Sequence, residues 1–401
     1  MSRTGRTLRR SPAGPFSPAG VLFVVGLVGS GSLLAADWPS FRGSPTQTGV
    51  ATDPLPAELE LVWSVDFADG IPGTAAIRDG RVYVGTLGGH VVCLSLEDGS
   101  EQWRFSTPEE TNFRPGFTSA ATATEDTVNI GDEDGTMYSL ARDDGTLRWK
   151  KETGDQIVGG ATAITVAGEE RILFGSHDAT LYCVRAKDGA DVWSVRTEGP
   201  VNCSVAVVEG ENGLRTFVTG CDEQFRVLDA ETGEEVGRTP TGSPLIASPA
   251  VFGSDVYFGS YAGDIRGLNF DSLKQDWLVG EGTKAEPIHS SAAVTEEAVV
   301  IGGRDRRIQA LSRTTGEPLW EVKTRSKVDS SPVVAPTEGG DLRVYVGTND
   351  KRVLGIDLKS GEVVWEYRTK RPVSSSPAVA GGRLVIGVEG PEGQLLCFGK
   401  K

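Results

Sequence analysis

Short apolar runs alternate with Gly-, Asp-, Asn- and Ser-rich breaks along almost the whole chain, and the alternation itself repeats. The clearest unit runs from Val328 to Thr369. It contains VDSSPVV, LRVYVG, RVLGIDL and VVWEYRT, four runs of strand length rich in Val, Ile, Leu and Tyr, which predict four short β-strands. The Lys-Ser-Gly turn between the last two supplies residues that tolerate positive φ in a tight hairpin. Seven tryptophans, Trp63, Trp103, Trp149, Trp193, Trp277, Trp320 and Trp365, recur in the fourth run at about 40–46 residues, with one double interval, the period of β-propeller blades. Glycines keep the same phase. Gly85, Gly131, Gly175, Gly220, Gly259, Gly302, Gly347 and Gly387 each close a second run, and Gly99, Gly145, Gly189, Gly316 and Gly361 stand four residues before a Trp. Gly233 keeps that phase, but Gly237 then replaces the Trp, which predicts a thinner seam after the fourth unit.

The glycine phase counts eight units. The last, Val373 to Phe398, has only three runs, and the missing fourth is the N-terminal ELELVWSVDF, residues 58–67, with Trp63 in its place. The expected fold is therefore all-β: an eight-bladed propeller of four-stranded antiparallel blades over residues 58–401, its ring closed by the N-terminal strand so that no sheet edge is left at the join. Residues 37–57, DWPSFRGSPTQTGVATDPLPA, are Pro/Gly-rich; Trp38 and Phe41 either pack them on one face or the segment is a tether.

Charge and termini set the setting. The chain carries a net charge of −15, and its first 36 residues hold four arginines and no acids, so the remainder is more acidic still, which argues against nucleic acid or an anionic membrane as a partner. Arg3, Arg6, Arg9 and Arg10 precede VLFVVGLVGSGSLLAA, the pattern of a secretory signal peptide over residues 1–36; retention as an anchor is the alternative. No later apolar run is long enough to cross a membrane.

The candidate chemistry is sparse. Cys93, Cys183 and Cys397 share one phase of three third strands and read as small packing residues, whereas Cys203 and Cys221 face one another across a predicted hairpin, within reach of a disulfide. Small pairs such as Ser290-Ser291, Ser330-Ser331 and Ser375-Ser376 open the first strands; crowding at a central channel accounts for them, and no Gly-x-Ser-x-Gly elbow marks a nucleophile. One channel mouth is expected to carry Asp134, His177, Asp178, Asn202, Glu223, His289, Arg304, Asp305, Asp329 and Asp350, either as a ligand or peptide site or as ordinary turn chemistry. His90, His177 and His289 lie on different blades without metal-ligand spacing. Phe113, Phe117 and Tyr261 are the aromatics available to a sugar- or polymer-binding face.

The pattern SSPAV…VYVGT.D..V..ID..SG..VW, together with the opening DWPSFRG, resembles the pyrroloquinoline-quinone-like eight-bladed propellers shared by quinoprotein alcohol dehydrogenases and the BamB-type outer-membrane assembly lipoproteins. The resemblance implies the fold over Asp37 to Phe398. For the dehydrogenases it implies a vicinal cysteine pair and a Glu/Asn/Asp calcium site with a catalytic Asp, none of which can be matched here. For the lipoproteins it implies a lipidated cysteine that SLLAADW lacks. The expectation is an exported, non-lipidated, monomeric and non-catalytic propeller of the periplasm or cell envelope that binds envelope or secreted proteins or peptides without a cofactor. A quinone-binding oxidoreductase using pyrroloquinoline quinone with calcium is the alternative.

Overall fold

A computed structural model describes residues 36–109, 114–210, 213–280 and 285–401; residues 1–35 of the expected leader lie outside them, as does Phe113. Thirty-two strands form eight four-stranded antiparallel sheets, and no helix occurs among the described residues. Blades one to seven span Ala76–Ser106, Thr122–Glu152, Thr162–Arg196, Ala206–Pro240, Ala250–Val279, Ala293–Lys323 and Val333–Arg368. Blade eight takes three strands from Ala378–Gly399 and its outer strand from Glu60–Phe67, in register Trp63 to Cys397.

The recurring residues hold the blades to one another. Six of the seven recurring Trp indoles lie over the positive-φ glycine of the next blade: Trp63 on Gly99, Trp103 on Gly145, Trp149 on Gly189, Trp193 on Gly233, Trp277 on Gly316 and Trp320 on Gly361. Each Nε1–H donates to a carbonyl beside that turn, as from Trp149 to Ala186 (2.7 Å) and Trp277 to Arg313 (2.8 Å), so a large apolar ring is buried with its one polar atom satisfied. At the closure Trp365 donates to Leu59 at 3.0 Å. The cross-strand partner of each Trp within its own blade is small: Cys93, Ser139, Cys183, Gly267, Ala310, Gly355 or Cys397. This explains the phase of three of the cysteines. The other glycine phase marks close approach near the axis, where a Cβ on Gly302 would come within 2.6 Å of Val328 and one on Gly85 within 2.5 Å of Phe117.

Blade four departs from the pattern, and the seam is not thin. Gly237 stands opposite Val227 rather than a small residue, and the next blade carries Leu273 where others carry the glycine. Leu273 adopts φ 56 and its Cδ1 would lie 2.8 Å from a Cβ on Gly237. The bulk has moved from one side of the seam to the other. Strand pairing also corrects the phase in this blade: Phe217 pairs as Tyr345 does, so Thr219, not Gly220, stands in the glycine position.

Residues 38–55 form a strap across one face. Its carbonyls accept first-strand amides from six of the eight blades: Trp38 from Ile77, Pro39 from Ala123, Pro45 from Val207, Thr46 from Val251, Thr48 from Val294 and Gly49 from Val334. It then runs parallel to the inner strand of blade seven, bridging Val50 to Val334 and Leu55 to Thr337. Between Pro39 and Pro45 it turns inward. Phe41 reaches the axis beside Gly160, and buried Arg42, at φ 63, donates to the Ala292 carbonyl of blade six at 2.8 Å.

Candidate functional site

The axial channel is built from the lead-in to each first strand. The second small residues link neighbouring blades in series: the Ser204 amide donates to Ser248 Oγ (3.0 Å), Ser248 to Ser291, Ser291 to Ser331 and Ser331 to Ser376 (each 2.9 Å). The first small residues tie strand one to strand two. Ser375 Oγ donates to the Gly387 carbonyl at 2.8 Å and accepts from its amide at 2.9 Å, and Ser330 accepts from the Gly347 amide at 3.0 Å. These hydroxyls are bonding partners of the scaffold, and crowding alone does not account for them.

Above that ring lies a cavity of about 180 Å³. Asn202, His289, Asp329, Thr118 and Ser374 give it polar walls on blades two, four, six, seven and eight, and Pro72, Val158 and Ile246 alternate with them. Thr118 Oγ1, Asn202 Oδ1 and His289 Nε2 are buried without a protein partner, so they face this space for hydrogen bonding. Burial, reinforced by the Arg304 charge, holds the His289 imidazole down to about 4, and it is neutral at pH 7. Asp329 receives Arg304 Nε at 2.7 Å and Lys327 Nζ at 2.7 Å. Burial alone would raise its carboxyl, but these two cations hold it below the ordinary value.

Of the ten residues expected at the mouth, the structure brings Asn202, His289 and Asp329 into the cavity wall, and Arg304 reaches it through Asp329. The others serve the turns. Asp178 accepts from the Gly154 amide of the preceding blade at 2.9 Å and from Tyr182 Oη at 2.7 Å. Asp350 accepts from the Arg325 amide at 2.9 Å and from Arg352. Asp305 pairs with Arg307 at 3.5 Å, His177 bonds Gln156 at 3.0 Å, and Asp134 is exposed. Glu223 is an exposed residue at φ 59; the blade-four counterpart of Asp350 is Asp222, which binds Arg226 within the fold. The one-residue shift that displaced Gly220 caused that misreading. Phe117, expected as an aromatic of a binding face, is instead buried between blades, and Thr118 faces the channel. Tyr261 remains exposed, at 51%. Lys327, two residues before Asp329, was signalled only by its position in the loop.

The Cys203–Cys221 disulfide does not form. All five cysteines are free: Cys203 Sγ donates to the Thr219 carbonyl at 2.7 Å in the place a serine takes in other blades, and Cys221 Sγ accepts from Asn202 Nδ2 at 3.1 Å. Burial pushes the Cys203 thiol up to about 11 and Cys93, Cys183 and Cys397 to about 12, so none is a nucleophile at neutral pH.

Among the described residues no group of three or more His, Cys, Asp or Glu side chains is placed to hold a metal ion, and the Asp329 carboxylate in the cavity wall is already paired with two cations. No helix among the described residues is long and apolar enough to cross a membrane.

Asp350 makes the turn chemistry testable by pH. Burial opposes its ionisation, yet hydrogen bonds from Arg352, Thr348 and the Arg325 amide outweigh this and lower it from 3.8 to about 2. A depressed folded-state value means that its stabilisation is complete above about pH 4 and is lost as pH falls towards about 2. Asp350→Asn is expected to melt lower than the parent at pH 6, with the difference shrinking between pH 4 and 2; a difference independent of pH would contradict this assignment.

The family described as "Outer membrane protein assembly factor BamB" matches residues 56–200, 177–305 and 304–397 of this chain. A relative of that same description from Burkholderia pseudomallei is 30% identical over 114 residues, which is 28% of this chain and 29% of the relative. The matched stretch thus spans under a third of that relative. Among solved structures, BamB from Moraxella catarrhalis superposes with a TM-score of 0.64 at 20% identity, covering 86% of this chain and 98% of that one. Quinohemoprotein alcohol dehydrogenase from Comamonas testosteroni gives 0.74 at 13% identity, with 91% and 81% covered. A europium-containing methanol dehydrogenase gives 0.69 at 12%, with 91% and 98% covered. At these identities the structural likenesses establish the fold alone.

Proposed function

This chain belongs to the family of outer membrane protein assembly factor BamB, and from that premise we propose that it is an exported, non-catalytic propeller of the cell envelope that binds proteins in the course of outer-membrane assembly. Residues 1–36 serve as its export leader. The observation that carries the reading is the use to which the loop carboxylates are put. Asp178, Asp222 and Asp350 each accept a backbone amide from the preceding blade, which makes them parts of the ring, and among the described residues no acidic group is placed to hold a metal. The channel favours the same reading, because its strap face is closed by residues 38–55 and its remaining space is about 180 Å³. Exposed Leu87 and Tyr261 stand on the turns of the opposite face, where a partner can bury them.

A photo-crosslinking residue at Tyr261, introduced in the native envelope, tests this directly. Adducts with outer-membrane β-barrel assembly proteins are expected; their absence, with the protein present and folded, would count against the reading. Titration with pyrroloquinoline quinone, with and without calcium, is expected to give no saturable binding. Calcium-dependent micromolar binding with dye-linked alcohol oxidation would replace the scaffold with an oxidoreductase.

A further inference from the structure

Seven of the eight inner strands present the same residue to the strap side as a buried position: Ile77, Ala123, Val207, Val251, Val294, Val334 and Val379. The eighth is Ala163 of blade three, which is only half-buried. The strap explains why. It advances one or two residues per blade elsewhere, but between Pro39 on blade two and Pro45 on blade four it spends residues 40–44 turning inward to set Phe41 and Arg42 at the axis. Among the described residues no strap carbonyl pairs with the Ala163 amide. The place the strap leaves is a groove of about 550 Å³ between Pro39, Pro45, Ala163, Ile164, Val207 and Leu214. An inner strand with unpaired amide and carbonyl groups is a template for another extended chain.

The molecule shows what fills such an edge. Along blade seven, residues 49–55 lie parallel to the inner strand: the Val334 amide donates to Gly49 and its carbonyl accepts from Ala51, and Pro336 accepts from Leu55. Ala163 and Thr165 are the blade-three equivalents of Val334 and Pro336. The residues of this segment that bond or bridge to the inner strand are small or aliphatic: Gly49, Val50, Ala51 and Leu55. Charge narrows the occupant further. Glu170 and Glu209 line the groove and neither has an ion-pair partner among the described residues, while Arg78, which also lines it, stands 3.9 Å from both Asp37 and Asp79.

We propose that the gap over blade three is a docking site for an extended peptide segment of a partner protein, which pairs in parallel with Ala163 and Thr165, seats small or β-branched side chains against Ile164 and Val207, and sets a lysine or arginine between Glu170 and Glu209. This rests on the protein-binding reading above and names a surface for it. A segment of an unfolded or edge-exposed β-protein has this chemistry.

The test uses the full chain and an acetylated, fluorescein-labelled pentapeptide that alternates threonine and valine around a central lysine. In the free protein the Ala163 amide is expected to exchange with deuterium at least about 100-fold faster than those of Val207 and Val251, which the strap covers. The peptide should bind saturably by anisotropy, slow exchange at Ala163, and weaken about tenfold towards the Glu170→Gln/Glu209→Gln variant at low salt. Slow exchange at Ala163 in the free chain, protection elsewhere, or equal binding of a peptide with glutamate in place of lysine would each overturn the proposal. If it fails while Tyr261 still crosslinks to envelope partners, the protein-binding reading stands and only this surface is lost.

Discussion

Gly237→Trp, introduced alone, is expected to destabilise the propeller by about 2–3 kcal/mol, the usual cost of forcing bulk into a filled core, although it installs the residue found at that position in every other blade. The indole would meet Leu273 across the seam and Val227 across its own blade. Six other seams set Trp against glycine on the next blade and a small residue on its own strand; this one sets glycine against leucine and valine. Adding Leu273→Gly and Val227→Ala to the same chain should therefore recover most of the loss. Leu273→Gly also removes a leucine from φ 56, a conformation that disfavours L side chains by about 1–2 kcal/mol. Denaturant unfolding of the single, double and triple variants measures the coupling, expected at about 2 kcal/mol between positions 237 and 273. If the effects simply add, the compensation argument is wrong.

Asp222→Ala is expected to cost about 3–5 kcal/mol, as removal of one partner from a buried ion pair does. The Asp222 side chain is 1% exposed and that of Arg226 4%. Asp222 also accepts the Glu198 amide of the preceding blade and the Gln224 amide of its own turn, each at 3.3 Å. Removing it strands a guanidinium whose remaining carboxylate is Glu235, at 3.3 Å, and opens an inter-blade link. Glu223→Ala, one residue away on an exposed turn, should change stability by less than about 0.5 kcal/mol. The contrast, read from melting temperature or denaturant midpoint, separates the two candidates for this place in the repeat. Equal effects would return the role to Glu223.

The architecture was legible because its signals are local and repeat. Strand length, turn residues and the Trp and Gly phases recur in every unit, and each unit must bury the same face against its neighbour, so the repeat carried both the blade count and the closing strand. Errors entered where a blade breaks phase. In blade four Thr219 replaces the expected glycine, and counting from the next glycine shifted the turn carboxylate from Asp222 to Glu223. The same-hairpin placement of Cys203 and Cys221 made a disulfide geometrically reasonable; the fold instead sends one sulfur to Thr219 and the other to Asn202.

By itself, then, the sequence determined the all-β repeat, the eight blades and the Trp–Gly seams, because these depend on periodicity and on side-chain size at fixed spacing. Only the tertiary structure decided which polar residues meet. Asp329 gathers Arg304 and Lys327, the turn carboxylates reach back to the preceding blade, and the strap leaves Ala163 uncovered. The physical reason is that most of these contacts, such as Arg304 with Asp329, join residues from different repeats. Their partners are set by how the ring closes and by a path the strap takes once in the molecule, and no period in the sequence records either.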